Sequence, residues 1–65
     1  MELEKVRRYL DEKQVAEITR LSVTTLRNWR HMGKGPAYVK IGRAVRYPLP
    51  DLIEFLEQRR IAGKW

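Results

Sequence analysis

The sequence predicts a small α+β domain: two short helices joined by a tight turn, then a two-stranded hairpin and a third helix. Three observations carry this. Helix-start signals stand at Asp11 and Ser22, two β-rich runs flank Gly42-Arg43, and Pro50-Asp51 opens a last amphipathic stretch. Sixty-five residues make one domain, and a chain this short buries only about 60% of its unfolded surface, so its core is small and its stability marginal. With no cysteine and one histidine, neither disulfides nor a zinc site can supplement that core. No cofactor is expected.

Asp11 followed by Gln14 fits a capping box, so the first helix is expected from Glu12 to Thr19, with Val15, Ala16, Ile18 and Thr19 on its apolar face. Leu10 is placed to act as a hydrophobic staple onto Val15 or Ala16. Ser22 caps a second helix from Val23 to about Met32, ended by Gly33 and kept from resuming by Pro36. Only Arg20 and Leu21 remain between the helices.

The runs Tyr38–Ile41 and Val45–Tyr47 read as strands. A three-residue tip, Gly42-Arg43-Ala44, is preferred to a two-residue one. It gathers Val39, Ile41, Val45 and Tyr47 on one face and Lys40 and Arg46 on the other, with Arg43 at the apex. Pro50 suits the first position of the third helix, which is expected to run to about Arg60 with Leu52, Phe55 and Leu56 as its inner stripe.

Charge is segregated along this frame. From Ile18 to Pro50 there is no acid, but there are seven basic residues: Arg20, Arg27, Arg30, Lys34, Lys40, Arg43 and Arg46. All eight acids lie in the flanks, apart from the expected basic surface, and the net charge is +6. A surface of this kind suits a polyanion. Plotted at 100° per residue, the second helix puts Leu26 and Trp29 inward, with Val23 and Arg30 at the border. Thr24, Arg27, Asn28 and His31 face outward, and Thr25 lies on a flank. Arginine can bridge guanine N7 and O6, asparagine can bridge adenine N6 and N7, and threonine offers a hydroxyl and a methyl group. The helix N-terminus beside Ser22 offers free amides to a phosphate. Trp29, opposite Thr24 and Asn28, is expected as a core anchor rather than a base-stacking platform.

Helix, tight turn and helix form the helix-turn-helix pattern, and the basic hairpin after it makes a winged form. The string Leu10-Asp11, Arg20-Leu21-Ser22, Thr24-Thr25-Leu26, Trp29-Arg30, Gly35-Pro36, Val39 to Arg43, Val45-Arg46-Tyr47, Asp51-Leu52 and Phe55-Leu56 resembles the MerR-like winged-helix domain of phage and mobile-element excisionases and AlpA-like regulators. The resemblance covers roughly residues 9 to 60. It implies that the segment Ser22 to Trp29 lies in the DNA major groove and that Lys40 to Tyr47 is a minor-groove wing. Arg20 stands where that family usually has glycine, and Val23 and Asn28 where relatives often carry basic residues.

The expected DNA-contacting set is Ser22, Val23, Thr24, Thr25, Arg27, Asn28, Arg30 and His31 from the helix, and Lys40, Arg43 and Arg46 from the wing. The expected organisation is a flexible segment at 1–8, the winged helix-turn-helix domain at 9–61 and a tail at 62–65. The expected function is non-enzymatic double-stranded DNA binding. The first reading is an excisionase-type recombination directionality factor that binds and bends attachment-site DNA, with other copies alongside and an integrase as partner. The alternative is a small transcriptional regulator at promoter DNA. MerR-type activators need a long dimerisation helix and an effector region for which 65 residues leave no room. A packaging-terminase DNA module would share the fold, and an adaptor using the acidic third helix would leave the acid-free block without a purpose. RNA is disfavoured because a helix cannot enter the deep A-form major groove. Met1 to Arg8 alternates charge without the apolar run of a signal peptide, and no stretch approaches the ~18 apolar residues of a membrane span. The expected location is cytoplasmic, on the bacterial nucleoid.

Overall fold

The computed structural model describes residues 8–62. Most of the expected N-terminal segment and tail, including Trp65, lies outside the described residues. The chain runs β1 (Tyr9–Leu10), α1 (Glu12–Thr19), α2 (Val23–His31), β2 (Val39–Ile41), β3 (Ala44–Pro48) and α3 (Leu49–Gln58). It is a small α+β winged helix-turn-helix with three helices and an antiparallel sheet ordered β1-β3-β2. Among the described residues, no helix is long and apolar enough to cross a membrane.

Local chemistry sets the helix ends. The Asp11 carboxylate accepts the Gln14 amide at 2.8 Å, and the Gln14 side chain accepts the Asp11 amide at 2.9 Å, closing the capping box. Ser22 Oγ accepts the Thr25 amide at 3.0 Å to start α2. At the other end, the Gly33 amide donates to Arg30 O at 3.2 Å and the Lys34 amide to Trp29 O at 2.8 Å, a Schellman motif. The turn between α1 and α2 requires Arg20 in the left-handed region, φ 64°, a conformation that costs a residue with a Cβ roughly 1–2 kcal/mol. α3 begins one residue earlier than expected, with Pro50 second, and ends at Gln58.

The core is Leu10, Val15, Leu26, Tyr47 and Leu52, with Ala16, Leu21, Trp29, Val45 and Leu49 packed around it. Every element except β2 contributes. Trp29 is half-buried, its ring 5.8 Å from that of Phe55 and its back against Gly35. Ile18 and Leu56, both expected inside, are exposed. Leu49, one turn before Leu52, packs against the core instead.

Two features differ from expectation. The hairpin is joined by two residues, Gly42-Arg43, so Val39 pairs with Arg46, Lys40 with Val45 and Ile41 with Ala44. Lys40 and Arg46 therefore lie on opposite faces, and Val39 and Ile41 are turned away from the core, Ile41 being 68% exposed. The turn chemistry explains the register. Gly42 has φ +59° while Arg43 is not in the left-handed region, the pattern of a type II′ turn, which needs glycine only at its first position. The three-residue alternative asks for positive φ at Ala44, where a Cβ resists it. The second feature is β1, which pairs Tyr9 with Pro48 and Leu10 with Tyr47 and makes the two-stranded ribbon a three-stranded sheet. The Leu49 amide continues the pairing to Arg8 O at 2.8 Å.

Candidate nucleic-acid interface

Basic side chains of α2 and of the hairpin line two clefts that share Arg27, Arg30 and Arg43. A cleft of about 280 Å³ is bounded by Arg27, Arg30 and His31 from α2 and by Tyr38, Lys40, Arg43 and Val45 from the hairpin. A second, of about 470 Å³, is bounded by the same arginines, the start of α1 (Asp11, Glu12, Lys13) and the wing (Arg43 to Arg46). The Gly42-Arg43 turn places Arg43 on the rim of both. Six of the described cationic side chains, Lys13, Arg27, Arg30, Lys40, Arg43 and Arg46, thus border the two clefts, together with His31.

The α2 residues divide by what they already touch. Thr24, Arg27, Asn28 and His31 are exposed along one side of the helix. The Ser22 and Thr25 hydroxyls lie 2.9 Å apart and are engaged with each other and with the helix cap. Val23 is half-buried. Arg30, expected among the contacting residues, is turned inward and only 17% exposed. It donates from Nη1 to the Tyr47 hydroxyl at 2.7 Å and from Nη2 to Glu12 Oε1 at 3.2 Å, and its guanidinium stands 5.7 Å from the centre of the Tyr38 ring. These contacts compensate a charge that is otherwise costly to bury. They also give the buried Tyr47 hydroxyl the partner it requires. On the wing, Arg46 is half-buried and donates to Val45 O at 2.8 Å, while Lys40 and Arg43 are exposed.

Glu12 corrects the expectation that all acids stand apart from the basic surface. Arg27 donates from Nε to Glu12 Oε1 at 3.3 Å and from Nη2 to Oε2 at 2.7 Å, so one carboxylate holds two arginines of α2. The hydrogen bond from Arg27 lowers the Glu12 pKa below the ordinary carboxylate value. Partial burial opposes that shift, and the Arg30 bond and both positive charges reinforce it. Hydrogen bonding to Glu12 raises the Arg27 pKa in turn. Burial works against the Arg30 charge, but the bonds to Tyr47 and Glu12 outweigh it and its pKa is raised. Both guanidinium groups remain charged throughout the accessible pH range.

Sequence reasoning did not find Lys13 and Tyr38 on the cleft walls, nor Glu12 and Tyr47, which pair with the arginines. The signal for such a partner was faint: Arg27 and Arg30 are three apart and so share a helix face, which leaves room for one acceptor from a crossing helix. Among the described residues, no group of three or more His, Cys, Asp or Glu is placed to hold a metal ion.

Comparison with known proteins agrees with the geometry. A family model described as a helix-turn-helix domain matches residues 9–60, from the start of β1 to just past α3. Neither a curated protein nor a solved structure matches the chain.

Proposed function

The chain belongs to the helix-turn-helix domain family, and from that premise we propose that it binds double-stranded DNA with α2 in the major groove and the β2–β3 hairpin along the adjacent minor groove. The observation that carries this reading is the shared recess: Arg27 and His31 from the helix face Lys40 and Arg43 from the wing. Two elements aimed at neighbouring grooves need that convergence of charge, because phosphate neutralisation dominates affinity while the groove-facing side chains select sequence. Thr24, Arg27 and Asn28 are the base-reading candidates. Arg43, at the apex of a thin ribbon, is suited to a narrow minor groove, where A·T-rich sequence concentrates negative potential.

Within DNA binding, the finer assignment is an excisionase-type recombination directionality factor. It is supported by the resemblance of the motif string from Leu10 to Leu56 to that group. It is also supported by the size of the unit, since one such domain covers a short site and gains useful affinity when copies lie side by side. Deleting the chromosomal copy and measuring both excised circles and promoter activity tests the assignment. Loss of excision is the expected outcome. Unchanged excision with altered transcription would assign the protein as a regulator instead.

A further inference from the structure

We infer that Glu12, on the helix preceding the recognition helix, is a positioning residue that sets the sequence selectivity of Arg27. The inference rests on the DNA-binding reading above and concerns a residue outside the expected contact set.

A guanidinium carries five N–H donors in a fixed fork. Glu12 occupies two donors along one edge, Nε–H and one of the Nη2 hydrogens, with both of its carboxylate oxygens. The end of the fork, Nη1 and the second Nη2 hydrogen, is left free in the exposed part of the side chain; Arg27 is 59% exposed. That end is the part that can donate in parallel to guanine N7 and O6. A free arginine samples many rotamers and can reach phosphate as readily as a base edge. One clamped along its Nε edge has both the direction and the plane of its remaining donors fixed before DNA arrives.

The clamp is itself anchored. Glu12 is 21% exposed and also accepts from Arg30, which donates to the core residue Tyr47. The position of the Arg27 fork is therefore tied to the packed interior through a chain of hydrogen bonds, Tyr47–Arg30–Glu12–Arg27, rather than to a mobile surface acid. The arrangement has an electrostatic consequence. A carboxylate at the DNA-facing recess repels phosphate, so Glu12 lowers affinity for all duplexes while raising the preference for one base. An acid serving only as a surface counter-ion would give no such division.

The test compares the full-length wild type, Glu12→Gln, Glu12→Asp and Arg27→Ala on a randomised 30-base-pair duplex pool, by sequencing the bound fraction and titrating selected and unselected duplexes. Glu12→Gln removes the charge. Glu12→Asp keeps a charge beside Arg30, which protects the fold, but is one methylene shorter and cannot hold the fork in the same place. The wild type is expected to select a guanine whose enrichment disappears in Arg27→Ala. Both Glu12 variants should lose about tenfold in preference for that guanine, with preferences at other positions retained and binding of unselected duplex by Glu12→Gln tighter. Unchanged guanine preference in the folded variants would overturn the positioning role, as would tightening by one common factor on selected and unselected duplexes, which would make Glu12 a competitor for Arg27. A wild type that binds no duplex would overturn the DNA-binding reading itself, a result distinct from either.

Discussion

Tyr47 is where folding and recognition meet. Its ring belongs to the same core cluster as Leu26 and Leu52, and its hydroxyl holds Arg30, which shares Glu12 with Arg27. Removing the hydroxyl leaves a part-buried guanidinium short of a partner. Tyr47→Phe is therefore expected to cost about 1–2 kcal/mol in urea unfolding, since hydrogen bonds to charged groups are among the stronger ones; no loss would show that Arg30 re-pairs with solvent. Glu12 makes the same network sensitive to acid. Its pKa is lowered in the folded state, chiefly by Arg27, so the folded protein binds fewer protons than the unfolded chain in the acid range. The stability Glu12 contributes is complete above the ordinary carboxylate range and is lost as pH falls below about 4. Thermal melts from pH 7 to pH 3 should show a shallower acid decline for Glu12→Gln than for the wild type, from a lower starting point. Parallel curves would remove Glu12 from the stability balance.

At the scale of elements, what was legible in the sequence was what is decided locally. The capping box at Asp11, the Ser22 cap and the end of α2 each depend on residues within one or two turns, and α1 falls on its expected bounds. β1 was not legible, because two residues carry no periodic signal and their partners, Tyr47 and Pro48, lie far along the chain. The wing register was misjudged for a related reason. Apolar pattern decides register where a face is buried, but the hairpin extends beyond the core, leaving Val39 and Ile41 outside. There the glycine at the turn outranks the pattern. The inter-helix turn offers a direct check. Relieving the left-handed strain at Arg20 with Arg20→Gly should stabilise the fold by about 0.5–1 kcal/mol after the larger unfolded-state entropy of glycine is subtracted, seen as a rise of a few degrees in Tm. Destabilisation would mean that the Arg20 side chain contributes a contact. The link between α2 and the wing gives a check of opposite sign. A Cβ at Gly35, where φ is +97°, would lie 3.0 Å from Trp29 Cε3 and 3.1 Å from Trp29 Cβ. Gly35→Ala should thus cost at least ~1–2 kcal/mol and displace Trp29, which its tryptophan fluorescence would report. A wild-type spectrum and Tm would contradict the close approach.

For the whole molecule, the candidate site was legible as a charge distribution but not as a set of contacts. The acid-free block from Ile18 to Pro50 supplies most of the basic side chains that border the two clefts, and the start of α1, outside the block, adds Lys13. What it could not reveal was that folding returns an acid, Glu12, to that surface and pairs it with Arg27 and Arg30, because ion pairs between α1 and α2 span 15 and 18 residues and leave no periodic trace. The exposed cations, with Arg43 at the apex of the wing, are the groups through which the molecule is proposed to hold DNA. The most direct test is a titration of the full-length protein against duplex DNA at several salt concentrations, with a single strand of the same sequence alongside. Neutralisation of about five phosphates predicts that log K falls with log[salt] at a slope of roughly −4 to −5, with the duplex bound more tightly than the single strand. A slope near zero, or tighter binding to the single strand, would contradict the proposed mode of binding.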